Sequence, residues 1–119
     1  MTYAIKADMN GEILAGELIK TAGKLPDDFN VTPNYDIGGN LQSGEFTLTP
    51  TNNLGIDGLY GRTYVDPAFP FELQISVEAF HWPEDNENAK AKALLSIFKP
   101  LVDSHNQTHA SKADLVQKS

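Results

Sequence analysis

The sequence predicts an α+β protein in which helices pack on one face of an antiparallel β-meander sheet of about four or five strands. Two observations carry this prediction. The segment from Phe71 to Ala79 alternates apolar and polar residues, as a strand with one solvated face does. The segments before Gly23 and after Pro83 instead repeat apolar residues at helical spacing, and the order of strands and helices fits one helical layer on one sheet.

Length and composition predict a single domain covering residues 1–119. The chain has 119 residues, of which 40% are hydrophobic, and it contains no cysteine. We expect residues 104–119 to form a polar C-terminal tail with a short helix, because the stretch from Ser111 to Asp114 resembles a capping box. The absence of cysteine excludes disulfides, thiol catalysis and cysteine-based zinc sites.

The N-terminal segment predicts a strand followed by a helix. Residues Tyr3 to Met9 alternate sufficiently for a strand, and Asp8 or Asn10 is a suitable cap for a helix over residues 11–22. The competing interpretation is a hairpin that turns at Asn10 and Gly11, because Asn-Gly is a strong hairpin signal.

The central segment from Pro26 to Pro70 is rich in turn residues and predicts a meander of short strands. Strands are predicted at Glu45 to Thr49, at Leu59 to Val65 and at Phe71 to Ala79. In the last of these, one face is predicted to enter the core and the other to be solvated. The inward residues are Phe71, Leu73, Ile75, Val77 and Ala79, and the solvated ones are Glu72, Gln74, Ser76 and Glu78.

The segment after Pro83 predicts a helix with an apolar stripe that includes Leu94 and Phe98. Pro100 is expected to kink or restart this helix, because proline lacks the amide hydrogen of a helical residue. His105 and His109 are expected to be exposed in the polar tail and to bind no zinc, since only one further acid lies near them.

The run from Asp85 to Asn88 is superficially similar to a calcium-binding loop. The run lacks the glycine and the distal bidentate Glu of a calcium loop, so no metal and no cofactor is predicted.

Acidic residues are concentrated in the predicted sheet and its loops. The formal net charge is −7, and residues 25–89 hold eleven Asp and Glu with one cation, Arg62, which gives −10 for this segment. We expect an acidic surface that attracts a basic protein and repels the phosphates of nucleic acid. Its predicted members are Glu45, Glu72, Glu78, Asp57 and Asp66. The alternative interpretation is that these charges only keep the protein soluble.

Tyr60, Arg62 and Tyr64 are predicted to project from one face of a strand, because alternate residues of a strand share a face. Tyrosine and arginine are common among residues that dominate binding energy, so this row is a candidate interface. The alternative is an ordinary cross-strand neighbourhood in which Arg62 pairs with an acid.

No catalytic motif is present, and a non-enzymatic function is therefore expected. The predicted function is a small acidic module that binds, and inhibits or neutralises, a basic partner protein. The comparison with anti-defence inhibitors and immunity proteins rests on size and charge only. One alternative is a self-associating assembly component, such as a small virion or tail-associated protein. A second alternative is a protein that binds a small anionic ligand.

The remaining expectations concern partners and location. No stretch is long and apolar enough to cross a membrane, and charged residues interrupt the first twenty positions where a signal peptide has an apolar run. We therefore expect a cytoplasmic protein, located in the host cell if a phage or mobile element encodes it. It is expected to be a monomer or small homo-oligomer that contacts neither membrane nor nucleic-acid phosphates.

Overall fold

The structure is a computed structural model that describes residues 2–35, 38, 41–83 and 86–118. It contains six strands and two helices, which confirms the predicted α+β class, with more strands than the four or five expected. The strands are β1 (Tyr3–Ala7), β2 (Phe29–Tyr35), β3 (Leu41–Pro50), β4 (Tyr60–Tyr64), β5 (Glu72–Glu78) and β6 (Ala113–Gln117). The helices are α1 (Gly11–Gly23) and α2 (Asn86–Thr108).

All six strands form one antiparallel sheet in the order β2-β3-β4-β5-β1-β6. The meander from β2 to β5 follows the chain order, as predicted for consecutive strands joined by short turns. β1 then pairs with the outer edge of β5, and β6 pairs with β1. Strands β4 and β5 therefore lie in the middle of the sheet, where side chains have neighbours on both sides.

Helix α1 begins at Gly11, so the predicted helix is confirmed and the alternative hairpin at Asn10 and Gly11 is wrong. The Asn10 side chain accepts a hydrogen bond of 2.7 Å from the amide of Glu12, so Asn10 is the N-cap. The amide of Gly11 donates to the carbonyl of Pro70 at 2.8 Å, which ties the start of the helix to the loop before β5. A Cβ on Gly11 would lie 2.5 Å from the Glu72 carbonyl, so only glycine fits this approach.

The core lies between the two helices and one face of the sheet. Leu14 and Leu18 of α1 and Phe98 and Leu101 of α2 are fully buried against inward residues of the strands. The strand residues of this cluster include Ile5, Phe46, Leu48, Leu73 and Ile75. The opposite face of the sheet carries the alternate side chains, and we call it the open face.

Two predictions for β5 are wrong. Phe71, which precedes the strand, is 61% exposed and not in the core. Val77 and Ala79 pack against the core as predicted, but they are only partly buried. On the other face Glu72 and Gln74 are buried although they were expected to be solvated. The cause is a set of neighbouring side chains that cover this end of the open face, described below.

Two predictions near the C-terminus have different outcomes. Helix α2 continues through Pro100, so the helix does not restart at this residue, and the kink stays a prediction. Because Pro100 has no amide hydrogen, the carbonyl of Ser96 lacks its helical hydrogen-bond donor. Both residues are exposed, so water can solvate that carbonyl. The short helix expected after Ser111 is instead strand β6, which the Asn106 amide anchors through bonds of 2.7 and 2.9 Å to the backbone of Ala113.

Candidate functional site

The candidate site is built on β4, whose side chains alternate between the two faces of the sheet. Gly61 and Thr63 point inward and are buried. A Cβ on Gly61 would lie 2.8 Å from the ring of Phe98, so β4 lies directly under α2. Thr63 Oγ1 donates to the Gly44 carbonyl at 2.9 Å and accepts from the Phe46 amide at 3.1 Å. These contacts fix β4 against β3.

Tyr60, Arg62 and Tyr64 therefore project together from the open face, as the sequence predicts. Tyr64 is 49% exposed, and Arg62 is also exposed. Tyr60 is half-buried, because it lies opposite Glu78 of β5 in the strand register. The row presents two phenols and the single arginine of the chain on the uncovered side of a central strand.

Glu78 contacts two members of this row. The Tyr60 hydroxyl donates a hydrogen bond to Glu78 Oε2, and Arg62 Nη1 lies 3.7 Å from Glu78 Oε1. The hydrogen bond to the carboxylate raises the pKa of Tyr60 above its ordinary value, with burial and the negative charge of Glu78 adding to the effect. The Tyr60 hydroxyl therefore stays protonated at neutral pH and donates this hydrogen bond.

Glu72 has a different environment from the other predicted acids. Its Oε2 lies 2.5 Å from Lys118 Nζ and accepts a bond of 3.1 Å from Gln74, while its Oε1 lies 3.3 Å from Lys6 Nζ. Lys118 Nζ also lies 3.8 Å from the centroid of the Phe69 ring. The hydrogen bond from Lys118 is the main cause of a lowered pKa for Glu72, which outweighs the opposite effect of burial. This carboxylate is enclosed and neutralised.

The three other predicted acids lie apart from Glu72. Glu45 is half-buried on β3, next to the inward Phe46. Asp57 lies in the loop before β4, and its carbonyl accepts a bond of 2.9 Å from the Phe80 amide. Asp66 lies just after β4, where its carboxylate accepts a bond of 2.9 Å from the amide of Ala68. Asp57 and Asp66 thus mark the two ends of β4.

The expectation of exposed tail histidines is wrong for His105. This residue is fully buried in the last turn of α2, and its Nε2 lies 3.2 Å from the carbonyl of Ser111. Burial is the main cause of its lowered pKa, and the nearby His109 adds to the effect. Residues Phe98, Leu101 and Val102 precede it at helical spacing, so the buried stripe itself extends to position 105.

The two histidine rings stack on one another. Their centroids are 4.0 Å apart and their planes differ by 11°. His109 Nδ1 lies 2.9 Å from the carbonyl of His105 and its Nε2 lies 3.0 Å from Glu17 Oε2, so both nitrogens are engaged. Among the residues that the structure describes, no group of three or more metal-ligating side chains could hold a metal ion. Asp85, part of the calcium run considered above, lies outside those residues.

A cluster of aromatic and charged side chains, which the sequence alone did not predict, lies where β5 ends. Phe80 and Trp82 follow the strand, and Lys90 Nζ of α2 lies 5.6 Å from the centroid of the Trp82 ring. Together with Tyr60 and Glu78 they line a cleft of about 450 Å³, which we call the aromatic cleft. The signal in the sequence was the pair of large aromatic residues at positions 80 and 82, directly after an alternating strand.

Comparisons with other proteins give no functional information. Neither protein-family models, nor curated proteins, nor solved structures gave a match to this chain. In the described part of the chain, neither helix is long and apolar enough to cross a membrane. The candidate site is therefore defined by its own geometry, with the row of Tyr60, Arg62 and Tyr64 at its centre.

Proposed function

We propose that this protein is a small non-catalytic binding module whose open sheet face docks on a basic surface of a partner protein and blocks it. The observation that carries the proposal is the row of Tyr60, Arg62 and Tyr64 on a central strand, on the face that the helices leave uncovered. Glu78 contacts two of these three side chains, through a hydrogen bond from Tyr60 and an ion pair with Arg62.

Pre-ordering of Tyr60 favours tight association. Immobilising a flexible side chain at an interface costs about 0.5–1.5 kcal/mol. Tyr60 has lost part of this freedom in the free protein, because its hydroxyl donates a hydrogen bond to Glu78, and Arg62 lies 3.7 Å from the same carboxylate. Tyr64 pairs with Gln74 in the strand register and is 49% exposed. Such a row of Tyr and Arg is typical of residues that dominate binding energy.

The charge of the protein indicates a basic partner. The net charge is −7, and Asp57 and Asp66 flank the row at its two ends. A surrounding acidic field accelerates association with a cationic surface and repels polyanions. Glu72 contributes little to such a field, because Lys6 and Lys118 enclose it. It joins β5 to Lys6 of β1 and to Lys118, which follows β6.

The edges of the sheet favour a docking module over a self-assembling one. The Thr51 amide donates to the Asp28 carbonyl, so even-numbered residues at the start of β2 direct their backbone N–H and C=O groups toward β3. The backbone groups of the odd-numbered residues therefore point to the free edge of the sheet. Pro33, one of these, has no amide hydrogen to offer to another strand. At the other edge, the side chain of Asn106 occupies the outward backbone groups of Ala113. Each edge thus has one position that disfavours strand addition.

The second alternative, an anion-binding protein, is less well supported by the geometry. A clamp for a small anion needs a guanidinium free of carboxylates, whereas Arg62 lies 3.7 Å from Glu78. The docking proposal instead uses Arg62 together with Glu78 as one polar pair between two phenols.

The test is affinity capture with matched variants. The wild type, Arg62→Ala, Tyr64→Ala and Leu95→Ala serve as baits, with melting curves for each. Leu95 is a suitable control because it is 40% exposed on α2, away from the open face. We expect a basic protein that the wild type and Leu95→Ala retain and that the two open-face variants lose. A partner retained equally by all four baits would contradict the proposal.

A further inference from the structure

The aromatic cleft lies at the border between the open face and the helical layer. Tyr60 and Glu78 enter it from the open face, and Lys90 enters it from the N-terminal part of α2. Phe80 and Trp82 close it where the chain leaves β5.

Phe80 is held at the rim of this cleft although solvent surrounds most of its ring. Its amide donates to the Asp57 carbonyl at 2.9 Å, and its ring lies against Gly58, where a Cβ would come within 2.6 Å of Phe80 Cδ2. The φ of Gly58 is +71°, so glycine suits both the backbone and the contact. Even so, Phe80 is 77% exposed. The fold thus fixes a large apolar ring in a position where it buries little surface.

The cleft combines aromatic rings with one carboxylate, Glu78, and one ammonium group, Lys90. Three aromatic rings and a carboxylate line it, and aromatic faces attract ammonium and guanidinium groups. Lys90 already places its ammonium 5.6 Å from the centroid of Trp82, which shows that the indole face is accessible to a cation. Lys90 has a flexible stem, so an incoming cation can displace it at small cost.

We propose that the aromatic cleft binds an arginine side chain of the basic partner, so that this arginine and the Tyr60–Arg62–Tyr64 row are parts of one interface. This inference rests on the proposed function, because the bound arginine belongs to the basic partner protein proposed above. The cleft adjoins the row directly, since Tyr60 and Glu78 belong to both.

Arginine fits the site better than lysine does. A planar guanidinium can stack on Phe80 or Trp82 and donate hydrogen bonds from its edge at the same time. Glu78 Oε1 is 3.7 Å from Arg62, which is longer than a hydrogen bond, so this oxygen can accept a bond from an incoming donor. An ammonium group offers no plane to stack, and it would meet the same repulsion from Lys90.

The single tryptophan gives a direct readout of the cleft, because Trp82 is the only one in the chain. The probes are N-acetylarginine amide, N-acetyllysine amide and N-acetylcitrulline amide, a neutral analogue of the arginine probe. We expect a saturable change in Trp82 fluorescence with the arginine probe, a dissociation constant at least 3-fold weaker for lysine, and no saturation with citrulline.

Variants separate the cleft from general surface effects. Phe80→Ala and Glu78→Gln are expected to weaken binding of the arginine probe at least 5-fold. Lys90→Met is expected to strengthen it, because the internal competitor is gone. Phe71→Ala is the control, since Phe71 is also an exposed phenylalanine, at 61%, but lies at the other end of β5. If Phe80→Ala proves unfolded by its melting curve, Phe80→Leu replaces it.

The outcomes distinguish this inference from the proposed function. Equal responses to arginine and citrulline, or an arginine response that Phe80→Ala and Glu78→Gln leave unchanged, would overturn the cleft as a cation site. If Arg62→Ala abolishes partner binding and Phe80→Ala does not, the aromatic cleft does not bind an arginine of the partner, and docking through the open face is still supported. A cleft that binds the arginine probe in a protein that captures no partner would support the site and count against the proposed function.

Discussion

Truncation of Ile75 and of Val77 should have clearly different costs, although both residues belong to the apolar face of β5. Ile75 is 5% exposed and lies between Tyr3 of β1 and Thr63 of β4 in the strand register. Ile75→Ala removes three carbons, worth about 0.8 kcal/mol each in transfer free energy, and leaves a cavity. We expect the free energy of unfolding to fall by about 3 kcal/mol.

Val77 is only partly buried, at the wall of the aromatic cleft. Val77→Ala removes two carbons from a site that solvent partly reaches, so we expect a loss of about 1 kcal/mol. The measurement is urea unfolding followed by far-UV circular dichroism, with Leu95→Ala as an exposed control that should change stability by less than about 0.5 kcal/mol. A loss below about 1 kcal/mol for Ile75→Ala, or equal losses for the two variants, would refute this register and burial.

Three further predictions concern the titratable groups. Burial lowers the pKa of His105 below its ordinary value of 6.5, so the unfolded chain binds a proton more readily and stability should decrease as the pH falls below 6.5. His105→Phe should weaken this dependence, and an unchanged pH profile would contradict the assignment. Lys118→Met should destabilise the protein more at pH 7 than at pH 3. The pKa of Glu72 is lower in the folded protein than in the unfolded chain, so the stability that its ion pair contributes is complete above the unfolded pKa and is lost as the pH falls through the folded pKa. Equal losses at both pH values would argue against the ion pair. Zinc should not raise the melting temperature, because the rings of His105 and His109 stack rather than converge on a metal, and a saturable increase lost in His109→Ala would show otherwise.

The sequence could predict the elements whose periodicity is set by one buried face. Helix α1 follows this rule, because Leu14, Leu18 and Ala22 are buried at helical spacing. Strand β4 follows it through alternation alone, since Gly61 and Thr63 are buried while Arg62 and Tyr64 are exposed. The burial of Glu72 could not be predicted from the same pattern. It depends on Lys6 and Lys118, which the pairing of β1 with both β5 and β6 brings to one place.

Strand β6 forms where the local sequence predicts a helix. A Ser-x-x-Asp pattern beginning at Ser111 is locally compatible with a helix start, but pairing with β1 and the bonds from Asn106 to Ala113 outweigh that preference. The prediction for His105 is also wrong, since a histidine at the next position of an apolar stripe continues the buried face of a helix as readily as it begins a polar tail.

The open-face row could be predicted because it needs only the alternation of β4. Its contact with Glu78 and its proximity to Phe80 and Trp82 could not, since both depend on the register between β4 and β5 and on the path of the chain after β5.

The most direct test of docking through the open face is a calorimetric titration of the captured partner. The proteins to compare are the wild type, Arg62→Ala, Arg62→Lys and Lys20→Ala, each at low and high salt. Lys20 is the matched control, because its side chain is 75% exposed on α1 in the opposite layer. We expect both Arg62 variants to lose about 2 kcal/mol or more of binding free energy without loss of folding, since lysine lacks the planar fork. Lys20→Ala should bind as the wild type does, and added salt should weaken every complex. Equal affinity of all four proteins, unchanged by salt, would contradict docking through this face.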